Sequence, residues 1–273
     1  MTSPAGTRVA VITGASSGIG EAVARALAGE RYGHLVLVAR REERLTAVAA
    51  SLAGRPTSVL ALDLTDDDAP ARVRDHVLDV GGGRLDLLVN NAGAAWRSTF
   101  ADGGHANVAR TMALNFDAPV RLTEELLPLL RRSAPSSIVN VASTASRVAR
   151  AGTGAYAASK AALAAWSDAL HIEEATARVH VGLVLPGFIR TEGFPADELI
   201  ARRVTRWLVS TPEKTAAAVL AAGPGGLAER YVPRPYGLAA GLRVVAPRLV
   251  RRALGGGLAA SFTTRTKADD DAS

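Results

Sequence analysis

The sequence predicts an α/β fold: a parallel, doubly wound sheet with helices on both faces. Three observations carry that expectation. Short apolar runs alternate with helical stretches from residue 8 to about 187. The runs are continuously apolar rather than alternating, as strands read when both faces of a sheet are covered. The first run leads at once into a glycine-rich turn, "TGASSGIG", which opens a helix. Alternation at this spacing implies right-handed crossovers between neighbouring parallel strands.

The elements follow in order. "RVAVIT" (8–13) is a first strand and "EAVARALAGE" (21–30) has helical spacing. "HLVLVA" (34–39) is a second strand, followed by a helix over 42–54 that ends on a C-terminal glycine. "TSVLALDL" (57–64) is a third strand, and 66–83 a helix with acidic residues at its start. "LDLLVNNAG" (85–93), "SSIVNVAS" (136–143) and "RVHVGLVLPG" (178–187) are three more strands, with helices over about 105–132 and around Tyr156 between them. A Pro-started helix with an acidic first turn covers 211–222. No internal repeat or linker interrupts the chain. The expectation is one domain over 1–256, less regular from about 190, with a polar, frayed tail over 257–273.

Composition narrows the classes. At 273 residues, with 48% apolar and 21% charged residues, the chain suits a globular enzyme rather than a disordered segment. It has no cysteine, so disulfide scaffolds, thiolate metal sites and cysteine nucleophiles are excluded. No histidine has metal-ligand spacing with carboxylates: His105, His171 and His180 read as structural or solvated, and no metal is expected. The N-terminus lacks the pattern of a signal peptide, and no apolar run approaches the ~20 residues that span a bilayer. A cytoplasmic location is the expectation. Net charge is +6, and residues 230–256 hold six arginines with no acidic residue. Charge confined to that segment argues against a nucleic-acid-binding body.

The glycine-rich turn lies where phosphates bind in such folds. Gly14, Gly18 and Gly20 permit a tight turn and let backbone approach a pyrophosphate at a helix N-terminus. Ser16 and Ser17 either contact phosphate or cap the helix. The second strand ends "VLVARREE", with Ala39 where an acidic residue would hold the ribose hydroxyls of NAD. Arg40 and Arg41 follow it. Guanidinium groups make charge-assisted bonds to a 2′-phosphate, which a carboxylate repels. NADP(H) is therefore favoured, with NAD(H) the alternative.

Farther along, "GAYAASKAAL" sets Tyr156 and Lys160 one turn apart on one helix face. Alone, such a pair reads as a solvated surface feature. Together with "TGASSGIG", "NNAG" (90–93), Asn115, Ser143 and "PGFIRT" (186–191), in one order at fitting intervals, it resembles the short-chain dehydrogenase/reductase family in its shorter-chain branch. The resemblance covers about residues 7–192. It implies a single Rossmann-type domain and assigns roles residue by residue. Tyr156 matches the general acid/base, Lys160 its activating partner, Ser143 the carbonyl-orienting hydroxyl and Asn115 the water-holding residue. Asp63 matches the contact to adenine, Asn90 a residue lining the ribose, and Ile189 and Thr191 contacts to the nicotinamide carboxamide and phosphates. Ile19, Leu64, Ala92, Gly93, Pro186 and Gly187 complete the implied cofactor contacts. Ser17 departs from the pattern, since many NADP-preferring members carry a basic residue there.

On this reading the phenol of Tyr156, ordinarily near 10, has to become acidic by roughly two to three pK units, with Lys160 and the oxidised nicotinamide providing the charges that do so. The expected activity interconverts a carbonyl and a secondary alcohol on a small to medium, apolar substrate. An epimerase or dehydratase with bound nicotinamide, an NAD-dependent alcohol dehydrogenase and a non-catalytic nucleotide-binding protein are the alternatives. The substrate side is expected from residues near 94–97, 144–154 and 188–210, with an amphipathic lid over 193–209. Trp166 reads as packing, whereas Trp96 borders the pocket. The helices around 105–132 and 155–177 resemble the family's dimer surfaces, so a dimer or tetramer is expected. The basic segment suits packing on the body or a second subunit, with contact to an anionic lipid surface as the alternative.

Overall fold

The structure is a computed structural model that describes residues 8–52, 54–191 and 208–255. Seven parallel strands form its main sheet: β1 (Val9–Thr13), β2 (His34–Ala39), β3 (Thr57–Ala61), β4 (Leu87–Asn90), β5 (Ser136–Val141), β6 (Val179–Pro186) and, at the edge, β9 (Glu229–Val232). Their order is β3-β2-β1-β4-β5-β6-β9. Two short strands, β7 (Phe188–Ile189) and β8 (Val209–Ser210), pair separately. The central strands carry Val, Ile and Leu on both faces and are fully buried, which explains their unbroken apolar reading.

Helices cover both faces. On one side, α1 (Gly18–Ala28), α2 (Glu42–Ser51) and α7 (Pro212–Ala222) bury Leu27, Leu45 and Val219 against the sheet. On the other, α3 (Ala69–Gly81) and α5 (Ala118–Arg132) bury Val73, Val77, Leu122 and Leu126. α6 (Gly154–Glu173) lies beside β5 and β6, and its Leu163 packs with Leu183 and Leu185. Each such side chain contributes about 1.5–3 kcal/mol when removed from water.

The strand order reverses between β1 and β4, which are hydrogen-bonded neighbours. In an open parallel sheet, the crevice outside the carboxyl ends at this reversal is where a ligand enters. The glycine-rich turn after β1 and "NNAG" after β4 flank that crevice. The helix expected over 105–132 is two helices, α4 (Phe100–Met112) and α5, joined through a π turn at Ala113–Asp117. Two further helices end the described chain: α8 (Tyr236–Val245) and α9 (Pro247–Gly255). The lid expected over 193–209 lies outside the described residues except for its last two positions. None of the described helices is long and apolar enough to cross a membrane.

Candidate active site

The glycine-rich turn is built for close approach. Gly14 leaves β1 at φ +66°, and a Cβ there would lie 2.8 Å from Asn91 Nδ2 and 2.9 Å from Ala92 Cα. A Cβ on Gly20 would lie 2.2 Å from the Gly14 carbonyl oxygen, so only glycine fits. Gly18 has φ +58°, and a Cβ on it would meet Thr191 Cγ2 at 3.3 Å, which places Thr191 over the turn. Bare backbone at the N-terminus of α1 is the surface that a pyrophosphate needs.

Thr13 and Asn91 clamp this turn across the strand reversal. The Thr13 hydroxyl donates to Val89 O (3.1 Å) and accepts from the N–H groups of Asn91 (2.9 Å) and Ala92 (3.0 Å). The Asn91 amide donates to Thr13 O at 2.9 Å. Thr13 opens "TGASSGIG" and Asn91 is the second residue of "NNAG", but neither is among the site residues expected from the sequence.

Basic groups sit where β2 ends. Ser17 occupies the N-cap of α1, but its side chain makes no capping bond. It accepts instead from Arg41 Nη2 at 2.9 Å, and the same nitrogen donates to Ser16 Oγ at 3.3 Å. The cation that the turn lacks at position 17 therefore arrives from the start of α2. Arg40 is more open: its side chain is 70% exposed, with Nη1 3.7 Å from Asp63 Oδ2. Asp63 accepts from the N–H (2.9 Å) and hydroxyl (2.7 Å) of Thr65. Burial alone would raise its carboxyl, but the two Thr65 bonds and the Arg40 charge outweigh that and hold it low. Ala39 closes β2 without a carboxylate, so Arg40 and Arg41 are the charged groups that follow directly on the strand.

Several expected cofactor residues face elsewhere through their side chains. Leu64 is buried in the core beneath α3, Ile189 in the opposite core, and Ile19 packs against that same core. Asn90 differs most. Expected at the ribose, it is 3% exposed, and its amide donates inward to Thr123 Oγ1 (3.0 Å) and Asn140 Oδ1 (2.9 Å). At the end of β4 its side chain points onto the sheet face that α5 covers. Pro186 and Gly187 stand at the end of β6, and a Cβ on Gly187 would fall 2.3 Å from the Tyr236 ring.

The proton-handling groups converge beyond β5. Ser143 begins a short 3₁₀ turn at Thr144–Ser146 and is 7% exposed. Its hydroxyl accepts from Ala145 N (3.1 Å) and lies 3.3 Å from Pro186 O, to which it donates. The first turns of α6 bring Tyr156 to it. Burial pushes the Tyr156 phenol up, while its hydrogen bond with Ser143 and the charge of Arg97 act in the opposite direction without overcoming burial. The expectation of an acidic phenol concerns the protein with nucleotide bound; in the protein alone the phenol is raised, and the cation that offsets burial is Arg97.

Lys160 explains the difference. It is 3% exposed and its Nζ donates to Val141 O at 2.8 Å. Burial lowers its pKa to about 8. Asn115, fully buried in the π turn, fixes the neighbouring wall: Oδ1 accepts from Ala94 N (2.9 Å), and Nδ2 donates to Ala94 O (2.9 Å) and Ser159 Oγ (3.1 Å). A Cβ on Gly93 would sit 2.9 Å from Asn115 Oδ1 and 3.2 Å from Lys160 Nζ, so Gly93 keeps the approach to that ammonium open.

The mouth of the site is cationic and aromatic. The Arg150 guanidinium stacks on Phe188, 4.7 Å from its ring centroid. Burial and the nearby charge of Arg97 hold Arg150 below its ordinary pKa. Ser98 N donates to Gly152 O at 3.1 Å, tying the two arginine-bearing loops together. Trp96 lies under Arg110, 4.9 Å away, and Trp166 packs in the core as expected. His171 and His180 are structural: each bonds a backbone carbonyl, and their rings meet edge to face at 5.4 Å. Among the described residues no cluster of His, Asp or Glu is arranged to hold a metal ion.

Comparison with known proteins agrees with this arrangement. The family described as short chain dehydrogenase matches residues 8–198. Ketoacyl reductase HetN of Nostoc is 33% identical over 217 residues, 79% of this chain and 75% of that protein. Dehydrogenase/reductase SDR family member 7B of Xenopus laevis is 34% identical over 194 residues, 67% of this chain but only 58% of the relative's length. Among solved structures, a short-chain dehydrogenase from Streptomyces avermitilis superposes with TM-score 0.75 at 29% identity, covering 95% of this chain and 100% of that one. An actinorhodin polyketide ketoreductase variant with NADPH gives 0.76 at 26% identity, covering 87% and 99%.

Proposed function

Because the chain belongs to the short-chain dehydrogenase/reductase family of NAD(P)-dependent oxidoreductases, we propose that it is an NADP(H)-dependent ketoreductase interconverting a ketone and a secondary alcohol. The observation that carries this reading is the Tyr156 phenol, hydrogen-bonded to Ser143 at the carboxyl ends of the central strands, beside the glycine turn. The nicotinamide, when bound, supplies or accepts hydride. The protein's own residues handle the rest. Tyr156 holds the proton that the carbonyl oxygen receives, and a phenol raised by burial keeps it until charge develops there. Ser143 directs a hydroxyl at the same oxygen and stabilises that charge. Lys160, at about 8, can restore the proton near neutral pH, and Asn115 holds the backbone beside it.

Preference for NADP(H) is supported by Arg41 on Ser17, by Arg40, and by the missing carboxylate at Ala39. Phe188 and Trp96 suit an apolar substrate body. Arg97 and Arg150 favour a substrate whose far end is oxygen-rich or anionic. The relatives named as ketoreductases support the direction of this reading. Assembly as a dimer or tetramer through α4, α5 and α6 belongs to the same proposal.

The test is NADPH absorbance across a panel of ketones, with Tyr156→Phe as control. Net NADPH consumption, falling about 10²–10⁴-fold in the variant while nucleotide binding persists, is expected. Near-parental turnover in Tyr156→Phe overturns the mechanism. Product formed without net NADPH consumption overturns the reductase reading.

A further inference from the structure

α8 is amphipathic in the reverse sense from an ordinary surface helix. Its body-facing side carries Tyr236, whose hydroxyl donates to Leu208 O at 3.1 Å, and the buried Ala240. Leu238, Leu242 and Val245, at i, i+4 and i+7, share the opposite side and are 79%, 50% and 79% exposed. Surface helices of globular proteins turn that stripe inward. Val244 (79%) and Leu249 of α9 (67%) extend the patch. Five of the nine exposed large apolar side chains among the described residues thus fall between 238 and 249, so the patch is concentrated rather than scattered. The expectation that this segment packs on the body holds for one face of α8 only.

The charge along this segment has one sign. Arg248, Arg251 and Arg252 are exposed on α9, and Arg243 is half-buried on α8. Lys214 of α7, Arg230 of β9 and Arg234 line a hollow of about 650 Å³. No acidic residue occurs from 230 to 256. A second copy is a poor occupant, because a two-fold contact sets the same segment against itself and offers its arginines no carboxylate. An anionic bilayer matches both features: the apolar stripe enters the boundary between headgroups and acyl chains, and the guanidinium groups meet phosphates. None of the described helices can cross a membrane, so the contact lies in the surface plane.

We propose that α8 and α9 dock this protein on an anionic phospholipid surface, with Leu238, Leu242, Val245 and Leu249 inserted and Arg248, Arg251 and Arg252 on the headgroups. The full-length protein is sedimented with vesicles of phosphatidylcholine alone and of phosphatidylcholine mixed with phosphatidylglycerol. Association with the mixed vesicles alone is expected, weakened by added salt. Exchange of Arg248, Arg251 and Arg252 for Gln lowers vesicle affinity roughly fivefold per arginine. Leu238→Ser with Leu242→Ser lowers it on the same vesicles with all charges kept. Both variants keep solution reductase activity and subunit number by light scattering, which separates this proposal from the catalytic one. Absence of binding, equal binding to neutral vesicles, or a variant that instead dissociates an oligomer overturns it, the last outcome marking the face as a subunit interface.

Discussion

Lys160 is held as a buried cation at a cost that a pH series can measure. It is 3% exposed, and burial brings its pKa from 10.5 to about 8. The folded protein therefore binds this proton less tightly than the unfolded chain does. Stability attributable to Lys160 rises with pH across the window from about 8 to 10.5, and below 8 the full cost is present. A shift of that size corresponds to about 3 kcal/mol between pH 7 and the upper end of the window. Lys160→Met removes the titrating group while keeping a chain of similar length. Urea denaturation of parent and variant, without nucleotide, at several pH values isolates the effect. Tyr32 and Tyr236, pushed up to about 12 by burial, titrate alike in both proteins and cancel in the difference. The stability of Lys160→Met relative to parent is expected to fall by about 3 kcal/mol as pH rises from 7 to 10.5. A difference that stays flat, or grows with pH, refutes a desolvated ammonium at Val141 O.

Other positions give independent checks. Arg41→Ala should lower the efficiency ratio of NADPH to NADH by about 10- to 100-fold, the range of a charge-assisted bond. Arg40→Ala, with its side chain 70% exposed, should lower it about fivefold or less; steady-state kinetics with both nucleotides reads the order, and equal losses with both nucleotides in Arg41→Ala contradict it. Asn115→Ala strands Ala94 N and O and should cost about 2–4 kcal/mol in a denaturant titration. Gly93→Ala places a methyl 3.2 Å from Lys160 Nζ and should reduce kcat at least about tenfold, with nucleotide affinity measured by fluorescence nearly unchanged.

The first six strands were legible because each is an apolar run, and the glycine turn because only backbone fits beside Asn91 and Gly14 O. Where boundaries differ, a local bond decides. The third strand, expected to reach residue 64, stops at Ala61 because Asp63 turns back onto Thr65. The helix expected from 105 is preceded by a further turn from Phe100, where Thr99 Oγ1 accepts from Asp102 N, and the non-helical Gly104 (φ 51°, ψ −153°) separates the two. The edge strand Glu229–Val232 gave no signal: it is four residues long, begins with two charges and pairs with β6 alone. The π turn that seats Asn115 was equally silent, since one extra residue in a turn leaves no periodic trace. Arg41 was legible as a cation but not as a partner of Ser17, because the bond joins groups 24 residues apart.

The site's electrostatics follow from burial more than from the pairing of Tyr156 with Lys160. Burial opposes charge on either group, raising the phenol and lowering the ammonium. A phenolate–ammonium pair would need the phenol's shift reversed, yet the lysine donates its bond to a backbone carbonyl rather than to the phenol. In the protein alone the stable arrangement is thus a protonated phenol beside a lysine that titrates within reach of neutral pH. At neutral pH that lysine still carries its proton, so the pair holds one positive charge and can pass a proton without first forming a phenolate. The remaining positive potential comes from Arg97, in the loop after β4, which acts on both Tyr156 and Arg150. Removing that charge should therefore shift the alkaline limb of the kcat profile upward, because the phenol loses a partner that favours its ionised form. An Arg97→Gln protein whose alkaline limb moves to lower pH would contradict this assignment.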